Sequence, residues 1–412
     1  MALAGAGAEA GAGAGALPGW DAYCSEMGDL RQDIAPLSAD ERAQVASLRQ
    51  VQVVFRHGNR NLYSPFQCFR GWTPRFNCSL EPTEAFAPSS GPARPWAFVR
   101  RADVGCFVGE LLPSALPRIR AAGGALRQAY LGEGGPLGAV DTGDPLAARV
   151  RATVIERTQA TAFFLVDALR SGNDSVRLHL PADQAADPWR PAPCAAAASV
   201  VARRRDAALR ALAADPAYRQ FYAQWREALG FDFSPDWVGS TAFNFDCLLV
   251  SRCEKQEWPH NLSVHMADLG LNYTIRYIRQ VYGHSRSSRL LASRMLSEME
   301  ALAATEVKLG VWATHDNALI ALLAGLDVWD GVYPAYVDTT VLEVYELKAG
   351  GAAVRLLRRG RPLALPGCGA LCPAEALFGT FADLRPPGGA DPCEAEAILP
   401  ADLAAVLPSP WQ

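Results

Sequence analysis

No apolar stretch of this 412-residue chain reaches membrane-spanning length, although half of its residues are hydrophobic. A transmembrane helix is therefore not expected. Cys-x-x-Cys is absent, and the cysteine pairs have no histidine at ligand spacing, which argues against a zinc site. No charge of one sign dominates. The net charge is −4 and the basic residues are dispersed, so nucleic acid is not an expected partner. The short runs Arg203-Arg204-Arg205 and Arg358-Arg359 read as a solvated helix face and a hairpin turn. No internal repeat is present. The first sixteen residues are almost wholly Ala and Gly, without a basic n-region or an apolar core of Leu or Val. No signal peptide is read there, and residues 1–19 are expected to be disordered.

The ten cysteines are even in number, with local pairs Cys68/Cys78, Cys247/Cys253 and Cys368/Cys372. That usage suggests an oxidising compartment, and hence a secreted, lysosomal or other luminal location. Four sequons, at Asn77, Asn173, Asn261 and Asn272, agree with a glycoprotein of the secretory pathway.

Chemistry concentrates at Val51-Gln-Val-Val-Phe-Arg-His-Gly-Asn-Arg60. The apolar run Val51 to Phe55 reads as a buried strand. It ends on Arg56-His57-Gly58, with Arg60 two residues on. Two guanidiniums thus flank one imidazole at a strand end, where ligands bind in open α/β sheets. Arginine captures phosphate in a planar, bidentate fashion. Histidine can act as nucleophile, acid or base. Gly58 permits a sharp turn and a close ligand approach.

A second junction lies downstream. Val307 to Thr314 reads as a buried strand, His315-Asp316 stands at its end, and Asn317 to Ala324 reads as a helix. Between the two, Arg157 falls near the first turn of a helix that runs into Ala162-Phe-Phe-Leu-Val166. A helix N-terminus favours anions through its free amides and its dipole.

The rest of the chain organises around these pieces. Residues 63–95 form an irregular excursion rich in Pro, Trp and Cys. Its aromatic set, Tyr63, Phe66, Phe69, Trp72 and Phe76, could wall a substrate entrance or fill a local core. A helix is expected over about 101–131, long helices over 264–304, and a hairpin over 339–357 turning at Ala349-Gly350-Gly351. Ala-rich, Pro-punctuated segments over 181–262 suggest an inserted, mainly helical lobe. The expected architecture is a three-layer α/β sandwich with a mostly parallel central sheet, formed by 20–180 and 263–412, plus that smaller lobe.

Arg-His-Gly-x-Arg, then an Arg-Thr helix, then His-Asp, in that order, resembles the histidine acid phosphatases, branch 2 of the histidine phosphatase superfamily. Tyr333-Pro-Ala-Tyr336 and Leu365 to Pro373 are similar to segments of the prostatic and lysosomal members. The chain departs from the pattern at Asn59, at Asn61-Leu62 and at Asn317. The resemblance implies hydrolysis of phosphate monoesters through a phosphohistidine on His57. Arg56, Arg60, Arg157 and His315 would bind the phosphate, and Asp316 would be the proton donor. No metal or cofactor is implied, because the arginines supply the positive charge. The resemblance also implies a Cys368–Cys372 bridge and a homodimer. A phosphotransferase or mutase using the same intermediate, and a catalytically silent phosphate-binding protein, are the alternative functions.

Overall fold

The computed structural model describes residues 34–62, 109–169 (without 133, 143 and 145), 176–179, 195–230, 238–258 and 262–381. It also describes residues 24, 70, 76–78, 80, 86–88, 106, 187 and 189. The expectations for residues 1–19, for Cys68, and for most of the 63–95 excursion, including Tyr63, Phe66, Phe69 and Trp72 of its aromatic set, lie outside the described residues.

In chain order the elements are α1 (Ala39–Gln44), β1 (Val45–Arg56), β2 (Phe86–Pro88), α2 (Leu116–Tyr130), β3 (Ala148–Ala152), α3 (Glu156–Leu169) and β4 (Val176–His179). Next come α4 (Ala195–Ala214), α5 (Pro216–Leu229), α6 (Val238–Cys253), α7 (Val264–Tyr282), α8 (Ser285–Ala303), β5 (Leu309–Thr314) and α9 (Asp316–Gly325). The chain continues through β6 (Thr339–Leu347), β7 (Ala352–Arg358), β8 (Arg361–Pro362), β9 (Leu371–Pro373) and α10 (Ala374–Gly379).

The sheet order is β2-β4-β3-β5-β1-β6-β7-β8, with β9 pairing β7. Strands β2, β4, β3, β5 and β1 run parallel, and β6 opens an antiparallel hairpin on the other side of β1. The expected α/β architecture is therefore the observed one. Apolar clusters cover both faces of β1. Val51, Val53 and Phe55 pack with α2 and α3, whereas Val54 packs with α8 and α9. This alternation is the two-residue period of a strand buried on both sides. A third cluster, around Tyr218, Phe221, Trp225 and Leu248, is the core of α5 and α6 and extends to Ala267 in α7.

Two expectations are corrected. The first strand begins at Val45 rather than Val51, because the polar-spaced residues before it pair with β6 across register shifts. The helix expected from about 101 starts only at Leu116. Pro113 opens a short 3-10 turn before it, and Pro117 sits in its first turn, where a missing N–H costs nothing. Cys247 and Cys253, close in sequence, do not pair with one another. Cys253 bonds Cys24, Cys78 bonds Cys106, and Cys247 is bonded to a cysteine outside the described residues. Proximity in the chain is a poor guide here, since α6 holds positions 247 and 253 in one rigid rod. Cys368 bonds Cys372, as the resemblance implied. Gly350 and Gly351 turn the β6–β7 hairpin with φ of 89° and 85°.

Two buried polar networks fasten the sheet. Glu343 and Arg355 face each other across β6 and β7 and form an ion pair at 3.1 Å, and Tyr130 of α2 donates to Glu343 at 2.7 Å. Asp338, at the entry to β6, pairs with Arg358 at 3.1 Å and Arg359 at 2.8 Å. Burial pushes the Asp338 carboxyl up, but the two guanidiniums outweigh it and hold it below the ordinary carboxylate range. A depressed folded-state pKa contributes stability above the unfolded value, about 3.9, and that stability is lost as pH falls through the folded value. Asp338→Asn is thus expected to cost about 2 kcal/mol at pH 7, because it removes the buried one of the two carboxylates that Arg358 faces, leaving Asp330 at 2.5 Å. The difference from wild type should narrow in strong acid. Denaturant titrations at pH 7 and in strong acid check this; a gap independent of pH would refute it.

Candidate active site

Each piece of the site comes from the C-terminal end of a central strand or the helix start that follows it. His57 leaves β1, His315 and Asp316 leave β5 and open α9, and Arg157 is the second residue of α3, which follows β3. The neighbouring parallel pairs β3–β5 and β5–β1 bring these ends side by side. Gly58 is required by space. A Cβ there would lie 2.7 Å from the Ala115 Cβ and 3.0 Å from the Ile119 Cδ1.

His57 is buried, and its Nδ1 lies 2.9 Å from the carbonyl oxygen of Gly58. A carbonyl only accepts, so Nδ1 donates. In the neutral ring the lone pair is then on Nε2. Burial and the charges of Arg157 and Arg56 hold its pKa well below the ordinary imidazole value, so the ring is neutral. The backbone around it is pinned. His57 N–H donates to Thr314 O at 3.0 Å, and Gly58 N–H donates to Thr161 Oγ1 at 3.0 Å. Val337 N–H donates to His57 O at 3.3 Å. Val337 adopts φ 59°, a left-handed conformation unfavourable for a β-branched side chain, so local strain sits beside the histidine.

The other predicted groups surround this ring. The His315 imidazole stands 5.5 Å from it, centroid to centroid, in a T-shaped arrangement. Thr153 Oγ1 lies 3.1 Å from His315 Nε2, and Arg157 Nη2 lies 3.5 Å from His315 Nδ1. Burial and Arg157 drive the His315 pKa down to about 3 against the opposing pull of Asp316, so this ring is neutral as well. Arg56 donates from Nη1 to Pro334 O at 2.7 Å and pairs through Nη2 with Asp316 Oδ2 at 2.9 Å. Its guanidinium lies against Tyr336, 4.4 Å from the ring centroid. Burial raises the Asp316 pKa, but Arg56 and the Tyr333 hydroxyl, which donates to Oδ2, bring it down to about 2. Arg60 is held end-on by Asp246 of α6, with bonds of 3.0 and 2.7 Å. Arg56, His57, Arg60, Arg157, His315 and Asp316 therefore converge on one place.

Sequence reasoning missed four participants. Asp246 sits in α6 with nothing around it to mark it, and its link to Arg60 is purely tertiary. Thr153 and Thr161 act on the two histidine segments from α3 and its approach. Tyr333 stood inside a segment quoted for its resemblance, without a role. The departures from the family pattern also find their places. Asn59 faces away from the convergent groups. It bonds Glu254 at 3.4 Å and lines a cavity of about 820 Å³ with Ser114, Arg118, Arg252 and Trp258. The Asn61 side chain accepts from the Leu62 N–H at 2.6 Å, so it caps its own turn.

No family model matches the chain. Lysosomal acid phosphatase from Homo sapiens is 27% identical over 148 residues, which cover 33% of this chain and 35% of that protein. Prostatic acid phosphatase from Mus musculus is 37% identical over 86 residues, 19% of this chain and 21% of that protein. The chain thus matches about a third or less of the length of these curated relatives. Solved structures align over far more of it. The Hafnia alvei phytase in complex with tartrate has a TM-score of 0.58 at 15% identity, covering 82% of this chain and 96% of that one. The Citrobacter braakii phytase gives 0.57 at 13% identity, covering 82% and 98%. At such identities the alignment speaks to the fold. In that fold, and in the sequence of its matched third, this chain is similar to the histidine acid phosphatases.

Proposed function

We propose that this protein is an acid phosphatase that hydrolyses phosphate monoesters through a phosphohistidine on His57. One observation carries the reading: His57 donates from Nδ1 to the Gly58 carbonyl, which leaves Nε2 as a neutral nucleophile among three guanidiniums. Nε2 attacks phosphorus in line as the ester P–O bond breaks. Arg56, Arg60 and Arg157 surround the non-bridging oxygens and carry the countercharge of the transition state. His315 joins them as a neutral imidazole. Asp316 gives a proton to the leaving oxygen and then takes one from the water that opens the phosphohistidine. The guanidiniums supply the electrostatic work that a metal ion does in other phosphatases. A luminal or secreted location fits the three described disulfides and the lysosomal relatives.

An aryl phosphate assay combined with acid or alkaline quenching tests the reading. Expected are stoichiometric release of phenol and phosphate, and a phosphoryl group on His57 that survives base and is lost in acid. Turnover without label at His57 would refute the covalent route. Phosphate binding without turnover would point to a silent binding protein. Partition of the phosphoryl group to added alcohols in preference to water would point to a phosphotransferase.

A further inference from the structure

Asp316 carries three donors, and a proton donor must itself hold a proton. Oδ2 receives the Tyr333 hydroxyl and Arg56 Nη2, the latter at 2.9 Å, and Oδ1 receives the Asn317 N–H at 2.8 Å. Hydrogen bonds to the charged form favour it, so the free site holds a carboxylate. The acid required by the proposed function is therefore absent until substrate arrives.

We propose that Tyr333 is a positioning residue that keeps Asp316 in its ion-paired form in the empty site and sets how readily a bound phosphate ester loads it with the transferable proton. The inference rests on the role given to Asp316 above. A phosphate at the site shares Arg56 and adds negative charge close to Asp316. Both changes favour protonation of the carboxylate. Tyr333 is neutral and does not exchange partners with phosphate as a guanidinium does, so its hydrogen bond is the side-chain restraint that remains beside the Asn317 N–H.

The surroundings support this division of labour. Arg56 from β1, Arg60 from the loop after it, and His315 on the same turn all favour the carboxylate form. Tyr282 at the end of α7 and Tyr336 also feel its charge. Of these side chains Tyr333 alone combines neutrality with a hydrogen bond to the carboxylate. Its ring is fixed, 5.2 Å from the Arg56 guanidinium. The flanking backbone is tied on both sides, with Val332 O accepting from Arg358 at 3.0 Å and Pro334 O accepting from Arg56 at 2.7 Å.

The proton balance is simple. The ester brings its proton as the monoanion, or solvent supplies one, and it resides on Asp316. As the His57 Nε2–P bond forms and the P–O bond breaks, the electron pair goes to the leaving oxygen and the Asp316 proton follows. Asp316 returns to the carboxylate and regains its three donors. Tyr333 keeps its own proton throughout.

Tyr333→Phe removes one oxygen atom and keeps the ring. Single-turnover rates with an alkyl phosphate at saturating enzyme report the protonation state of the complex, free of the dephosphorylation step. The alkaline limb of that profile is expected to move up by about one pH unit, the effect of one lost hydrogen bond to a charged group. Above both limbs the variant's rate, as a fraction of its own plateau, is then roughly tenfold that of wild type. A limb that coincides with wild type, with or without a uniform loss of rate, overturns the proposal. Asp316→Asn, run in parallel, separates the two readings. If that variant loses alkyl and aryl esters equally, Asp316 is not the proton donor and the underlying mechanism fails, whatever Tyr333→Phe does.

Discussion

Replacing His57 with alanine is expected to lower turnover by roughly 10⁵-fold or more and to eliminate the phosphoryl-enzyme, while the protein remains folded. The size of the effect follows from the absence of a substitute. His315, the nearest other imidazole, is 5.5 Å away with both nitrogens facing partners, Thr153 and Arg157. The fold should survive, because the backbone bonds of residue 57 to Thr314 and Val337 do not involve the imidazole. Binding of inorganic phosphate should persist, since the three arginines remain. Near wild-type hydrolysis by the purified variant would show that the nucleophile has been misassigned.

The second large effect is selective. Asp316→Asn is expected to slow alkyl phosphates by about 10²–10⁴-fold and phosphates of activated phenols far less, because only a poor leaving group needs the proton. Arg157→Ala should slow both classes to a similar degree, since charge on the non-bridging oxygens is common to both. Rates for one alkyl and one aryl ester on each variant check this. Equal losses for Asp316→Asn would move the acid elsewhere. The substitution also removes the carboxylate that faces Arg56 at 2.9 Å, and part of any loss in phosphate affinity will come from that.

What was legible in the sequence is what depends on short-range order. Val51 to Phe55 is readable because a strand buried on both faces is largely apolar; its one polar residue, Gln52, is buried and donates to Met299 O at 2.8 Å. Gly350-Gly351 is readable because two successive left-handed residues favour glycine. Arg56, His57, Arg60, Arg157, His315 and Asp316 could be named because each occupies a strand end or a helix start, the positions where an α/β sheet presents side chains to a ligand. Asp246 was not legible. It is one acid within an unremarkable helix, and its meaning lies in where α6 is carried. Tyr333 was invisible as a participant for the same reason. How the cysteines other than Cys368 and Cys372 bond was not legible, because it depends on where distant segments meet, as Cys24 and Cys253 do. The first six residues of β1, 45–50, gave little signal, since they pair with β6 alone and their apolar pattern is broken by register shifts.

The position of β1 sets a timetable for biosynthesis. Its two neighbours in the sheet, β5 and β6, are encoded about 250 residues or more downstream. At a synthesis rate of roughly 5–20 residues per second, β1 waits on the order of 10–50 s with both edges without their final partners. Throughout that interval it is a largely apolar strand that carries His57 at its tip and offers two open edges to any other strand. Pairing of β1 along both edges is therefore complete only after β6, at Thr339–Leu347, has been made.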